Sequence, residues 1–83
     1  MTLPIRTTRR VVREISRLPA NVRRRVEAAV DSLPEQPYRG RLLAGSDRVR
    51  RLRVGDYRIL YHVGNEAISI VRVAHRSSVY RQR

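Results

Sequence analysis

The apolar residues of this chain change their spacing midway, from the period of a helix to the alternation of a strand. Between residues 22 and 33, apolar side chains recur at i, i+4, i+7, i+8 and i+11, which places them on one face of a helix. After residue 48, apolar and polar side chains alternate, as in a strand with one buried face. This single change of period in 83 residues predicts one domain, residues 1–83, with helices first and a sheet after them.

Prolines and capping residues divide the first half of the chain. Residues 3–7 are expected to be extended, and the proline within them confines such a segment to the edge of a sheet. Thr7 or Thr8 caps a first helix that ends at Pro19, and a second helix follows at once and stops at Pro34. Because the connection between them is so short, the two helices are predicted to form an antiparallel hairpin.

The second half is predicted to form three strands joined by tight turns. Gly55 and Asp56 fit a two-residue hairpin turn, since glycine supplies the positive φ that such a turn requires. The loop 34–47 comes first, and its Leu42 and Leu43 are expected to pack against the core. The predicted strands are 48–54, 57–63 and 67–74, followed by a tail at 75–83. The fold class is therefore α+β: an N-terminal helical hairpin packed on one face of an antiparallel β-meander, to which residues 3–7 could add a short edge strand.

The charge of the chain favours a polyanionic partner. The formal net charge is +12, and all nineteen basic residues are arginine. Guanidinium groups bind phosphate in a bidentate fork and stay protonated, so they suit phosphate binding and are poor at proton transfer. Nine of the arginines follow residue 47, where only Asp56 and Glu66 oppose them. The sheet half is therefore the more basic half.

Composition also removes several classes of function. The chain has no cysteine, which excludes disulfides and thiolate metal sites, and two histidines alone do not make a zinc site. No apolar run approaches the length of a membrane span, and the N-terminus lacks the apolar core of a signal peptide. We expect a cytoplasmic protein with no metal, no cofactor and no membrane partner.

Strand alternation separates the basic residues from the core residues. Arg51 and Arg53 share one face of the first predicted strand, and Arg58 joins them if the opposite face of the second strand packs on the helices. These three arginines are therefore expected to line the open face of the sheet. The residues expected to pack on the helices are Leu52, Val54, Ile59 and Tyr61.

The sequence "RLRVGDYRILYHV", followed by "ISIVRVAHRSSVYR", closely resembles the RelE/ParE superfamily of bacterial type II toxin–antitoxin systems, and most of all its RelE branch. The resemblance covers nearly the whole chain. It implies a RelE-like fold and a ribosome-dependent endoribonuclease that cuts mRNA without a metal. It also implies that a cognate acidic antitoxin neutralises the toxin in a hetero-oligomer. The ParE branch has a similar fold but acts on DNA gyrase and generally lacks the arginine–tyrosine set.

The resemblance also implies a set of site residues. The catalytic arginines of the family fall on Arg58 and Arg76, and its C-terminal tyrosine falls on Tyr80. The basic residues of its first meander strand, which bind RNA, fall on Arg51 and Arg53. Relatives carry lysines on this strand, including a candidate general base, so the identity of the base here is open. Arg51 and Arg53 could also form a docking face for ribosomal RNA with no part in catalysis.

RNA cleavage by its own 2′-hydroxyl requires a base, an acid and positive charge near the phosphate. Arginines supply the charge. An imidazole suits proton transfer near neutral pH, which makes His75 a candidate, and Tyr80 is preferred as the acid. The base is open between His75, Tyr80 and a substrate-assisted route. Two other functions also remain open: a ParE-like toxin that acts on gyrase, and a plain basic nucleic-acid-binding module.

Overall fold

The protein consists of a five-stranded sheet with two helices packed on one of its faces. The computed structural model describes residues 2–79, with only the backbone described at Val79. The sheet order is β1-β5-β4-β3-β2; β1 is parallel to β5, and the other pairs are antiparallel. The elements are β1 (Ile5–Arg6), α1 (Arg9–Ser16), α2 (Ala20–Ser32), β2 (Arg41–Leu42), β3 (Val49–Val54), β4 (Tyr57–Val63), β5 (Ile68–His75) and α3 (Arg76–Val79).

The predicted α+β architecture is confirmed, with the meander of β3, β4 and β5 at its centre. Thr8, the second of the two candidates, caps α1, and its side chain accepts a hydrogen bond from the Val11 amide. Pro19 is the N-cap of α2, and Leu33 caps the other end just before Pro34. Gly55 has a φ of +58° in the two-residue turn between β3 and β4, as the Gly-Asp pair predicted.

The prediction that residues 34–47 form a loop is wrong at two residues, because Arg41 and Leu42 form the edge strand β2. They pair with Arg51 and Arg50 of β3, respectively. Two residues are too few to display a strand period, so nothing in the local sequence marks them. Leu42 is 49% exposed on this outermost strand, so the expectation that it packs against the core is also wrong.

The core lies between the helices and the face of the sheet that alternation predicted. Val26 of α2 and Val11 of α1 are fully buried, and Ile59 and Tyr61 of β4 are equally inaccessible. Leu52 and Val54 complete the contribution of β3. Arg51 and Arg53 of β3 are left on the opposite, open face. Burying these side chains supplies most of the stability of so short a chain.

The hydroxyl of Tyr61 holds the segment between α2 and β2 against the sheet. It donates a hydrogen bond to the Pro37 carbonyl oxygen at 2.8 Å and accepts one from the buried Gly40 amide, also at 2.8 Å. Arg50 donates to the Gly40 carbonyl oxygen at 2.8 Å, and its guanidinium lies 4.8 Å from the centre of the Tyr38 ring. A Cβ atom at Gly40 would lie 2.9 Å from the Tyr61 ring, so only glycine permits this approach.

A carboxylate from α1 covers the edge of β5 where β1 ends. Beyond Ser69, no residue of β1 pairs with β5. There the side chain of Glu14 supplies the acceptor instead, and its Oε1 accepts a hydrogen bond from the Val73 amide at 2.8 Å. Its Oε2 accepts Nε of Arg72, also at 2.8 Å, with 11% of the Arg72 side chain and 17% of the Glu14 side chain exposed. Glu14 therefore serves both as a strand substitute and as a partly buried counter-charge.

We predict that Tyr61→Phe lowers the free energy of unfolding by roughly 1–3 kcal/mol, because the buried Gly40 amide loses its partner. Urea unfolding measures the change. Tyr38→Phe is the matched control: it removes a hydroxyl from an exposed tyrosine and should stay within about 0.5 kcal/mol of the parent protein. Equal effects of the two substitutions would contradict the role given to the Tyr61 hydroxyl.

We further predict that Glu14→Ala destabilises the fold by roughly 3 kcal/mol, since it leaves the Arg72 guanidinium buried without its counter-charge. Glu14→Gln, which keeps an acceptor oxygen for the Val73 amide, should cost less. Glu27→Ala removes an exposed carboxylate from α2 and serves as the control. Chemical denaturation of the three variants would show the order; a Glu14→Ala protein as stable as Glu27→Ala would disprove the bridge.

Candidate active site

Two arginines lie directly opposite each other at the turn between β3 and β4. Arg53 and Arg58 are a cross-strand pair, so they share the open face of the sheet. Nη1 of Arg58 donates to the carbonyl oxygens of Gly55 and Tyr57 at 3.1 Å each, and Nε of Arg53 donates to the same Gly55 oxygen at 3.3 Å. Like charges in this position destabilise a sheet. An anion bound between the two guanidinium groups would relieve the repulsion.

Arg76 reaches the same turn from the end of β5. Its backbone amide donates to the Asp56 carbonyl oxygen at 2.7 Å, which fixes the start of α3 against the turn. Its Nε lies 3.9 Å from Oδ1 of Asp56, and 64% of the Arg76 side chain and 68% of the Asp56 side chain are exposed. An ion pair this long and this exposed contributes little, so the Arg76 guanidinium can exchange Asp56 for a stronger anion.

Arg51 precedes Arg53 on the same face of β3 and lies opposite Leu60 of β4. The structure therefore brings Arg53, Arg58 and Arg76 together around the turn, and Arg51 lies two residues before Arg53 on the same face of β3. His62 pairs with Val49 and Ser69 towards the opposite end of β4, away from the turn.

His75 does not share the face of Arg58. It pairs with Tyr57 across the strands, and the two rings meet edge to face with centres 5.4 Å apart. Its Nδ1 accepts the Ser77 amide at 3.2 Å and lies 2.9 Å from Oγ of Ser77. With Nδ1 acting as an acceptor, the proton of the neutral ring is on Nε2. In this conformation, the Nδ1 lone pair is already engaged in capping α3.

A β-bulge explains the face on which His75 lies. Leu60 pairs with Arg72, but Tyr61 pairs with Ile70, so Val71 is an extra residue in β5. Ile70 and Val73 are both buried in the core, although residues i and i+3 of a regular strand lie on opposite faces. Without the extra residue, His75 would share the face of Arg58.

Tyr80, the predicted acid, lies outside the described residues. Its role therefore stays a prediction from the resemblance.

Sequence reasoning missed Arg25 of α2. A Cβ atom at position 55 would lie 3.3 Å from Nη1 of Arg25, so this guanidinium reaches the turn from the helical side. Arg25 precedes the buried Val26 and is itself exposed. No sequence pattern singled it out, because its distance from the turn depends on how α2 packs on β3.

Within residues 2–79, no cluster of three or more histidine, cysteine, aspartate or glutamate side chains is arranged to bind a metal ion. None of the described helices has the length and apolar character to cross a membrane.

Comparison with known proteins identifies similar chains. The sequence model of the family described as "ParE toxin of type II toxin-antitoxin system, parDE" matches residues 5–80. The toxin RelE3 of Methanocaldococcus jannaschii is 29% identical over 75 residues, which cover 83% of this chain and 85% of the relative. These matches agree with the resemblance of the two quoted sequences.

Two solved complexes contain chains with the same fold. The RelBE2 toxin–antitoxin complex of Mycobacterium tuberculosis gives a TM-score of 0.78 at 26% identity, covering 92% of this chain and 100% of that chain. The RelE–RelB complex of Pyrococcus horikoshii gives 0.75 at 28% identity, covering 92% and 97%. The helical pair and the five-stranded sheet are therefore the fold of RelE-type chains.

We predict that Arg53→Gln stabilises the protein in dilute chloride by about 0.2–1 kcal/mol, since it removes one member of a like-charged cross-strand pair. Added salt should reduce this gain by screening.

Inorganic phosphate at matched ionic strength should raise the thermal midpoint of the parent protein more than that of the Arg53→Gln variant, because it binds between Arg53 and Arg58.

Arg48→Gln is the matched control for this measurement, because Arg48 is exposed and lies outside the strand pairs. It removes the same charge from the same half of the chain. If both variants respond alike to chloride and phosphate, net charge alone accounts for the effect and the anion site is wrong.

Proposed function

The chain belongs to the ParE toxin family of type II toxin–antitoxin systems, and from this premise we propose that it acts as an endoribonuclease. It cleaves mRNA on the ribosome by attack of the RNA's own 2′-hydroxyl, without a metal, and so inhibits translation. Residues 1–83 act as a single RelE-like toxin domain. RelE-named chains among its relatives favour this activity over the other functions of the superfamily.

The observation that carries the proposal is the group of arginines around the turn at Gly55. Arg53 and Arg58 donate to one carbonyl oxygen, and Arg76 is tied to the neighbouring residue. In the reaction, the 2′ oxygen bonds to phosphorus, the bond from phosphorus to the 5′ oxygen breaks, and that oxygen gains a proton. Negative charge accumulates on the phosphoryl oxygens as this happens. Preorganised guanidinium groups stabilise it, each worth on the order of 10²–10³ in rate.

Proton transfer is assigned to the C-terminal segment. Tyr80 protonates the leaving 5′ oxygen, a role that a phenol can take as a general acid. His75 is one candidate for the base, and it must first release the Ser77 amide from Nδ1. Tyr80 itself and a substrate-assisted route are the alternatives for the base.

We propose two classes of partner. The similar solved chains are in complexes with RelB antitoxins, and a net charge of +12 favours an acidic antitoxin that forms a hetero-oligomer with this chain. Ribosomal RNA and mRNA are the other partners, since Arg51 and the neighbouring arginines offer a face for phosphates. RNA affinity should then fall steeply with salt.

The test is cleavage of mRNA by the purified protein on translating ribosomes. We expect discrete cuts whose downstream fragments begin with a 5′-hydroxyl, the product of 2′-hydroxyl attack. A 2′-deoxy substitution at the cut nucleotide should abolish the cut. Arg58→Ala and Arg76→Ala should each lower the rate at least about 10²-fold.

Arg48→Ala is the control for these variants and should leave cleavage close to the parent rate. Intact mRNA on saturating, active ribosomes would refute the proposal. Inhibition of gyrase or a DNA damage response without cleavage would favour a ParE-like toxin, to which the family match also points. A chain that binds nucleic acid but does not stop growth when expressed without an antitoxin would be a plain binding module.

A further inference from the structure

A hollow lies between α2 and the turn that joins β3 to β4, beside the arginine pair. Its volume is about 340 Å³, within the range of small-ligand sites. Three guanidinium-bearing residues from three different segments line it: Arg25, Arg39 and Arg53. The remaining lining residues are small or apolar: Ala28, Ala29, Val54 and Gly55.

None of these three arginines forms an ion pair with a carboxylate of residues 2–79. Neutral groups position two of them instead. Nη1 of Arg39 donates to Oγ of Ser32 at 3.0 Å, and Nε of Arg53 donates to the Gly55 carbonyl oxygen. Nη1 of Arg25 lies 3.3 Å from where a Cβ atom at Gly55 would be, so the glycine leaves room for this guanidinium. Three positive charges therefore face one hollow that no acidic residue lines.

The hollow continues along the outer edge of β3. In the described chain, β2 pairs only with Arg50 and Arg51, so the edge from Leu52 to Val54 has no strand beside it. A second hollow of about 380 Å³ follows this edge and shares Arg39 and Arg53 with the first; the other residues lining it are Gly40, Arg41, Arg51 and Leu52. The two hollows thus form one arginine-lined path that leads from the turn along the edge of the sheet.

We propose that the hollow of Arg25, Arg39 and Arg53 binds a second phosphate of the RNA strand, on the same strand as the phosphate at Arg53 and Arg58. The inference rests on the proposed function for its choice of RNA as the ligand. Arg53 belongs to both sites, so the strand passes from the open face around the edge of β3. Arginine suits this task because its planar fork binds two oxygens of one phosphate group.

This second site would hold the strand in register. A phosphate fixed beside the reacting one limits sliding of the RNA and presents the scissile linkage to Arg58 and Arg76. Such positioning acts on the reaction without any contact between Arg25 and the reacting atoms.

The test compares Arg25→Gln with Arg24→Gln. Arg24 is the next residue on α2, is also exposed, and does not line the hollow, so both variants lose one charge from the same helix. The probe is a short single-stranded 2′-O-methyl RNA, which cannot be cleaved, and binding is followed by fluorescence anisotropy across a salt series. We expect Arg25→Gln to weaken binding about tenfold at low salt and to reduce the salt slope by about 0.7. Arg24→Gln should change the affinity by at most about twofold.

A double-mutant cycle tests the shared residue. Because Arg25 and Arg53 hold the same phosphate, their two losses should be less than additive, whereas the losses of Arg24→Gln and Arg53→Gln should add. Arg25→Lys keeps the charge but not the fork and should fall between the parent and Arg25→Gln. It also provides a second variant if Arg25→Gln lowers the thermal midpoint.

Equal losses in Arg25→Gln and Arg24→Gln would overturn the proposal. So would an additive cycle with Arg53, no measurable binding of the parent protein to the probe, or an Arg25 effect confined to duplex DNA. The cleavage assay separates the two proposals. A parent protein that shows the Arg25 effect on the probe but leaves mRNA intact retains the second phosphate site and loses the nuclease function. If the parent protein cleaves mRNA but Arg25→Gln and Arg24→Gln bind the probe equally well, the second phosphate site alone is refuted.

Discussion

The phenolic hydroxyl of Tyr61 is the contact on which the arrangement of the arginines depends. Its two hydrogen bonds hold Pro37 and Gly40 against the centre of the sheet. The chain that leaves Gly40 then runs beside β3 as β2, and Arg39 is held over the edge that β2 leaves uncovered. Burial of one aromatic residue in the core thus sets the position of a charged segment on the surface. The small core and the basic surface are therefore coupled through the Tyr61 hydroxyl, with the Arg50 hydrogen bond to Gly40 beside it.

The fold neutralises charge selectively. Glu14 accepts hydrogen bonds from Arg72 and from the backbone of β5, and it also lies near Arg10, so one acid of α1 serves two arginines and the edge of β5. At the turn between β3 and β4, the nearby acid is Asp56, which is exposed and 3.9 Å from its arginine. We therefore expect the repulsion between the paired Arg53 and Arg58 to remain in the folded protein. A phosphate bound between the two guanidinium groups would relieve this repulsion and stabilise the folded protein.

Sequence patterns predicted the fold wherever a period and a turn agreed. The bounds of β4 match the expected 57–63 because the Gly55–Asp56 turn fixes where the strand begins. Sequence patterns could not predict β2, because this strand has only two residues and depends on pairing with Arg50 and Arg51. Nor could they place His75, because one extra residue at Val71 changes the face of every later side chain in β5. Arg25 was missed for a different reason: its distance from the turn depends on helix packing, which no local pattern encodes.

The two edges of the sheet differ in what they offer to another chain. On the β5 side, β1 and then the carboxylate of Glu14 occupy the backbone groups, which leaves little for an incoming strand. On the outer side of β3, no strand among residues 2–79 pairs with the backbone from Leu52 to Val54, and arginines flank it. Two copies that met there would bring these guanidinium groups together. The charge that suits this edge to an RNA strand would therefore oppose pairing of two copies at the same edge.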